Sequence, residues 1–285
     1  MLSFTPRHPL FAARAEGSIH AGTINADVCG QIKAALRQYS VLIFPNQAID
    51  DDEQIHFTQQ FGPLEATKIG TEGTGTPLVI LRNFDDKNRL VASDHRQNLN
   101  NRANQLWHTD SSFKPIPAKA SILSAREIPL CGGDTHFVSM RAVYRSLPNV
   151  LKSRINNRYA LHSYAASRDA IDPKLMTQQE RMALPPVRQP MVLHDENGLN
   201  PSLYLGSHAC AVEGLPEFEG QQLIQELMEF ATQPEFIFTH AWTQYDLVMW
   251  DNRAVIHRAT PYRQDDERRH MVRTTIAGSC PISEH

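Results

Sequence analysis

The chain has 285 residues, 41% apolar and 21% charged, with a formal net charge of −3. That length suffices for a core that needs no disulfide or structural metal, and the charge balance offers no basic footprint for duplex nucleic acid or an anionic membrane surface. Four cysteines (Cys29, Cys131, Cys210, Cys280) lack Cys-x-x-Cys spacing, which predicts reduced thiols in a cytoplasmic protein; the N-terminus has no signal-peptide core and no apolar run is long enough to cross a bilayer.

In chain order, residues 25–39 read as a helix, with Asn25 as N-cap and Val28, Ile32, Ala35, Leu36 and Tyr39 at helical spacing. Ser40-Val-Leu-Ile-Phe44 is short, rich in branched apolar residues and closed by Pro45, the pattern of a buried strand. Asp50-x-x-Glu53 has capping-box spacing and opens a second helix that stops at Phe61-Gly62-Pro63. Between 65 and 105 only residues 77–81 read as a strand. Segments 67–76 and 85–104 are polar and rich in Gly or Asn, so they read as long loops, which in compact proteins serve as lids or binding loops.

Past the stretch Asn104-Gln-Leu-Trp-His-Thr-Asp-Ser-Ser-Phe113 comes a strand over 119–125 and a turn at Cys131-Gly-Gly-Asp134. A short returning strand over 135–138 leads into a helix capped by Ser139 and ending near 147. Residues 165–189 read as a Pro-containing insert with one helical turn capped by Thr177-x-x-Glu180. Strands are expected over 190–194 and 202–206, the most amphipathic helix over 217–232, and strands over 236–239, 246–250 and 271–277. The pattern is mainly β with peripheral helices, a sandwich or barrel with helices packed outside.

His108 and Asp110 stand two residues apart. On an extended backbone they project to one side, so an imidazole nitrogen and a carboxylate oxygen can converge on a divalent metal. Alone, such a pair is more often a hydrogen-bonded surface pair. A third ligand is available in His257, at the end of Asp251-Asn-Arg-Ala-Val-Ile-His257 behind a predicted strand. Two histidines and a carboxylate on one face, with the opposite positions open, is how non-haem Fe(II) oxygenases admit substrate and O2; the same three ligands would also serve a zinc hydrolase. An oxygenase that uses 2-oxoglutarate needs a fixed cation for the distal carboxylate. Arg268-Arg-His-Met-Val-Arg273 offers arginines behind His257, with Arg269 and Arg273 on one side of a strand and Arg268 on the solvated side.

These residues lie in a chain that resembles the taurine / 2,4-dichlorophenoxyacetate dioxygenase family of Fe(II)/2-oxoglutarate-dependent oxygenases over nearly its whole length, and stands closer to the phenoxyacetate branch. The resembling segments are His8-Pro-Leu-Phe11, Ser40-Val-Leu-Ile-Phe44, Phe61-Gly-Pro-Leu-Glu65, Asn104 to Phe113, Gly132-Gly-Asp-Thr135, Val212-Glu-Gly-Leu-Pro216, Asp246-Leu-Val-Met-Trp-Asp-Asn-Arg253 and Arg268-Arg-x-x-x-Arg273. The resemblance implies a double-stranded β-helix, or jelly-roll, built from residues 1–285 as one domain. It implies His108, Asp110 and His257 as iron ligands, with 2-oxoglutarate and O2 as cosubstrates.

By the same resemblance Thr135 and Arg269 hold the distal carboxylate of 2-oxoglutarate, Arg273 faces a substrate anion or the inner carboxylate, and Asn104 lines the substrate side. Lys68 lies near the lysine that phenoxyacetate enzymes are thought to offer the substrate carboxylate, offset by a couple of residues; read by itself it is a surface loop lysine. His208, in Gly206-Ser-His-Ala209, borders the pocket in the same comparison, while Trp107 and Trp250 read as packing. Asp110 argues against a halogenase, whose chemistry gives up the carboxylate ligand to seat halide. The expected partner is a small anionic organic molecule: a phenoxyacetate-like acid first, an organosulfonate, alkyl sulfate or N-acyl amino acid second. No nucleic acid or membrane partner is expected, and a homo-oligomer is allowed.

Overall fold

A computed structural model describes residues 2–20, 22–194 and 200–280. In chain order its strands are β1 (Ser3–Pro6), β2 (Ala13–Glu16), β3 (Val41–Phe44), β4 (Leu78–Arg82), β5 (Ala120–Glu127), β6 (Thr135–Ser139), β7 (Tyr159–His162), β8 (Val187–Pro190), β9 (Val192–Leu193), β10 (Ser202–Leu203), β11 (Ala209–Val212), β12 (Ile237–His240), β13 (Leu247–Asp251), β14 (Val255–Ala259) and β15 (His270–Ile276). The helices are α1 (Ala26–Tyr39), α2 (Asp51–Gln59), α3 (Arg96–Ala103), α4 (Met140–Ser146), α5 (Asn149–Ile155), α6 (Tyr164–Asp169), α7 (Gln178–Ala183) and α8 (Glu217–Ala231). The major sheet runs β1-β2-β3-β13-β5-β15-β4, antiparallel except for the β2–β3 pair. A second sheet, β12-β6-β14, faces it, giving the expected jelly-roll.

Strand alternation sorts the side chains into separate cores. In β3, Leu42 and Phe44 join Ile122 of β5 and Met249 of β13 beneath Ile32 and Ala35 of α1. Val41 and Ile43 turn the other way and meet Leu123, Val248 and Trp250, packed against Phe137 and Val255 of the second sheet. The opposite face of that second sheet, through Val138 and Ile256, packs on α4, α5 and α8. Period-2 patterning therefore accounts for both sides of each sheet.

The caps read from sequence are present: Asn25 accepts from the Val28 amide, and Asp50 with Glu53 closes a capping box on α2. Helix α2 then bonds to the outer face of β15. Gln54 Nε2 donates to the Val272 carbonyl at 2.9 Å, Gln54 Oε1 accepts from Arg126 Nη2 at 2.9 Å, and the Thr58 and Thr274 hydroxyls are 2.7 Å apart. With Val272 and Thr274 held outward, the alternate residues Arg273 and Thr275 must point into the barrel, where they line a cleft.

Several elements differ from expectation. The segment 85–104 is not wholly loop, because it carries α3. Its sequence has no apolar period, and the helix is held by polar side chains: Asn98 Nδ2 donates to the Val91 and Ala92 carbonyls and Asn101 Nδ2 to the Arg82 carbonyl. Strands β1, β2, β7 and β11 and helix α5 were also unexpected; the strands are four residues long, too short for a period to register. The 165–189 insert holds most of α6, all of α7 with its Thr177–Glu180 capping box, and much of β8.

Replacing Gln54 by Leu should destabilise the fold by about 1–3 kcal/mol, since it strips a buried partner from Arg126 and unhooks α2 from β15. Urea unfolding should show a lower midpoint with unchanged slope.

Candidate active site

The structure brings His108, Asp110 and His257 together, all buried, with ligand atoms within 4.8 Å of one another. His108 and His257 pair through their backbones: the His108 amide donates to the His257 carbonyl at 3.0 Å and the His257 amide to the His108 carbonyl at 2.8 Å. His257 thus sits on a strand of its own, β14, reached through a turn after β13. Asp110 is not on a strand as the spacing argument assumed. The chain is extended only through His108 and Thr109 before it turns, with Ser111 at φ 58°, and Asp110 still faces inward.

The donor set fits a divalent metal. His108 Nδ1 lies 2.7 Å from the Leu106 carbonyl, which fixes that nitrogen as the N–H donor and leaves the Nε2 lone pair free. Burial pushes both imidazoles below their ordinary pKa, His257 furthest, so both are in the neutral, ligating form at neutral pH. His257 is clamped between Trp250 and Phe137, 4.6 and 6.0 Å away between ring centres.

Asp110 must stay a carboxylate although only 4% exposed. Burial would raise its pKa; the Arg273 guanidinium, the two histidines and the Ser121 hydroxyl outweigh burial and hold it well below the usual carboxylate range. Arg273 bonds one carboxylate oxygen, and Ser121 Oγ donates to the other at 2.7 Å. Behind Ser121 the network runs inward: Asn252 Nδ2 donates to Ser121 Oγ at 2.9 Å and Trp250 Nε1 to Asn252 Oδ1 at 2.8 Å. Sequence reasoning missed Ser121 and Asn252. The available signal was alternation along β5, which puts Ser121 on the face of Leu123 and Ala125.

On the neighbouring wall, Thr135 is buried and its Oγ1 accepts from Trp242 Nε1 at 3.0 Å. That acceptance leaves the hydroxyl proton free for another partner. Two residues before Thr135, the Gly133 carbonyl accepts from Arg269 Nη2 at 3.1 Å, and the Asn83 carboxamide oxygen accepts from the Arg269 amide. Arg269 is buried and has no carboxylate within ion-pair distance among the described residues. Burial lowers its pKa, with Tyr262 and Asp134 opposing. Gly132 (φ 75°) and Gly133 (φ 69°) carry this wall, and a Cβ at 132 would lie 2.4 Å from the Pro261 carbonyl oxygen. Arg268 points the other way, paired with Glu127 and stacked on Phe84, as alternation predicts.

Through His108 and Asp110 the cluster opens on a solvent-connected cleft whose walls include Lys68, Asn104, Phe113, Tyr164, His208 and Arg273. Asn104, Arg273, His208 and Lys68 therefore all reach it. Lys68 is not a surface lysine: it is half-buried with its ammonium 4.2 Å from the Tyr164 ring centre, and burial, first among several influences, lowers its pKa. The loop carrying it folds back on itself through Thr67 N–H to the Thr76 carbonyl and Gly75 N–H to the Thr67 carbonyl. Arg168, from the region read as an insert, and Tyr164, the residue just before that region, also line the cleft; no spacing in the sequence marks them.

Among known proteins, residues 3–275 match the family described as taurine catabolism dioxygenase TauD, TfdA family. The chain is 39% identical over 282 residues to an alpha-ketoglutarate-dependent 2,4-dichlorophenoxyacetate dioxygenase of Cupriavidus pinatubonensis, covering 97% of this chain and 98% of that one. It is 35% identical over 262 residues to an (S)-phenoxypropionate/alpha-ketoglutarate-dioxygenase of Sphingobium herbicidovorans, covering 89% and 87%. The crystal structure of AAD-2 in complex with Mn(II) and N-oxalylglycine superposes with a TM-score of 0.91 at 35% identity, covering all of both chains.

Ser121→Ala should leave the fold intact and weaken divalent-metal binding by about 10-fold, because Asp110 loses the hydrogen bond that orients it. Anaerobic calorimetric titration with Fe(II) or Mn(II) measures this, with His108→Ala as the variant that binds no metal.

Proposed function

The chain belongs to the taurine catabolism dioxygenase TauD, TfdA family and is a 2-oxoglutarate-dependent dioxygenase, and from that premise we propose that it hydroxylates a small aryloxyalkanoic acid of the phenoxyacetate type. Hydroxylation at the carbon bearing the aryloxy oxygen gives a hemiacetal that falls apart, cleaving the ether. The observation that carries this reading is the buried His108, Asp110 and His257 cluster, which opens through His108 and Asp110 on a cleft walled by both aromatic and cationic side chains. Relatives named for phenoxyacetate and phenoxypropionate chemistry over most of the chain support the substrate class.

His108, Asp110 and His257 hold Fe(II) by their free imidazole nitrogens and carboxylate oxygen. Bound there, the metal supplies the oxidation: 2-oxoglutarate and O2 go to succinate and CO2 while a substrate C–H becomes C–OH.

The protein does the positioning. Thr135 donates its free hydroxyl proton to the distal carboxylate of 2-oxoglutarate, a role set by the Trp242 indole that already occupies its acceptor side. Arg269, a buried cation in want of an anion, pairs with the same carboxylate. Arg273 keeps Asp110 ionised and its carboxylate fixed in rotation, while Asn104 and Lys68 shape the substrate side. Phe113 and Tyr164 give the substrate side its aromatic wall. The whole chain acts as one dioxygenase domain, and its four free thiols fit the cytoplasm.

Anaerobic addition of Fe(II) and 2-oxoglutarate should produce a weak visible charge-transfer band that is absent in His108→Ala. Arg269→Ala should raise the half-saturating 2-oxoglutarate concentration about 30-fold or more, as expected for removing one partner of a buried ion pair. Succinate release should be coupled to phenoxyacetates; turnover coupled to taurine-like sulfonates alone would remove the proposed substrate class.

A further inference from the structure

Four cations line the cleft: Lys68, Lys114, Arg168 and Arg273. Two are already neutralised. Lys114 Nζ is 2.6 Å from Glu65 Oε2, which also accepts from the Ser111 hydroxyl, and Arg273 is bonded to Asp110. Lys68 and Arg168 have no carboxylate at ion-pair distance among the described residues; Glu180, the acidic group that influences Lys68, is paired with Arg96.

Arg168 is the more deeply placed of the two. It is 8% exposed, its Nε is buried with no hydrogen-bond partner, and its Nη1 makes one long contact, 3.4 Å, with the adjacent Ser167 hydroxyl. A guanidinium left this way, buried and without an anion, is unfavourable unless something pairs with it. Arg168 also interacts with Tyr164, whose hydroxyl is influenced by hydrogen bonding to both Arg168 and Lys68. The Arg168 guanidinium carbon and the Lys68 ammonium are each 4.2 Å from the Tyr164 ring centre. Burial would raise the Tyr164 hydroxyl pKa, and the two cations, Arg168 first, more than reverse it.

The cations are joined to the metal-ligand cluster by aromatic surface. Tyr164 lies 4.6 Å from Phe113, Phe113 4.9 Å from His208, and His208 6.3 Å from His108. An acid whose carboxylate pairs with Arg168 and Lys68 would therefore lay its apolar part along Phe113 and His208, towards the metal.

We propose that Arg168, seated with Lys68 on the Tyr164 ring, is the specificity-determining anchor for the anionic group of the substrate. This deepens the function proposed above and rests on its assignment of the cleft as the substrate site. Arg273, the arginine nearer the metal, is left to Asp110.

The test uses the full chain loaded with Fe(II) and 2-oxoglutarate under anaerobic conditions. Calorimetric Kd values are measured for phenoxyacetate, its neutral methyl ester, a hexyl sulfate and taurine, in wild type, Arg168→Gln, Arg168→Lys and Lys68→Met. Aerobic kcat and KM follow for whichever ligand couples succinate release. Arg168→Gln should weaken phenoxyacetate about 30-fold or more, leave the methyl ester and the 2-oxoglutarate affinity unchanged, and act on KM before kcat, with Arg168→Lys recovering part of the loss. Should the wild type prefer hexyl sulfate or taurine and Arg168→Gln abolish that preference, the anchor stands and the aryloxy substrate class falls. If phenoxyacetate binds wild type and Arg168→Gln alike, the anchor is wrong and the substrate class survives. Absence of binding by every anion would overturn both.

Discussion

Two backbone hydrogen bonds between His108 and His257 hold the site together. They join residues from distant parts of the chain and bring the two imidazole rings to 4.2 Å between centres. Everything that positions β14, from the turn after Asp251 to its pairing with β6, therefore also positions a metal ligand. The same bridge lets Asp110 leave the extended path immediately after Thr109 and still face inward, because the turn begins only once His108 has been fixed.

Around that bridge the charges are arranged by depth. Asp110 is a buried carboxylate made tolerable by Arg273 and Ser121, and Ser121 is held in turn by Asn252 and Trp250. Arg269 is a buried cation without a carboxylate of its own, on a wall built from two glycines in the left-handed region. The two arginines stand four residues apart, Arg269 just before β15 and Arg273 within it, yet one is paired with a carboxylate and the other is not. The difference follows from their neighbours along the barrel and not from their own surroundings in sequence. A buried cation with no carboxylate of its own is costly in a folded protein unless an anion joins it.

Residues 165–189 read as an insert in sequence, and in the structure this region, with Tyr164 just before it, contributes to a wall of the cleft. Helix α6 brings Tyr164 and Arg168 to the loop that carries Lys68, and α7 places Glu180 against the same loop beside Arg96. A Cβ at Gly70 (φ 80°) would collide with the Glu180 carboxylate, so the loop and α7 are fitted to each other. Loops that choose a substrate are more constrained than their polar composition suggests when side chains from a distant helix lock them.

The sequence by itself determined the features that depend on neighbours within a few residues. Alternation gave the buried strands and the inward side of Arg269 and Arg273, caps at Asn25, Asp50, Ser139 and Thr177 gave the helix starts, and His-x-Asp with His257, in the order the family resemblance supplied, gave the metal-ligand candidates. Tertiary structure decided α3, whose polar residues are held by carbonyls outside the helix that accept from Asn98 and Asn101. It also decided that Ser121 orients Asp110, that Lys68 is no surface lysine, and that Arg273 and Lys114 are spent on carboxylates while Arg168 is not. The physical reason is range. Periodicity and capping are written into consecutive residues, whereas the state of a charge depends on which groups the fold brings within a few ångströms, and those groups come from anywhere in the chain.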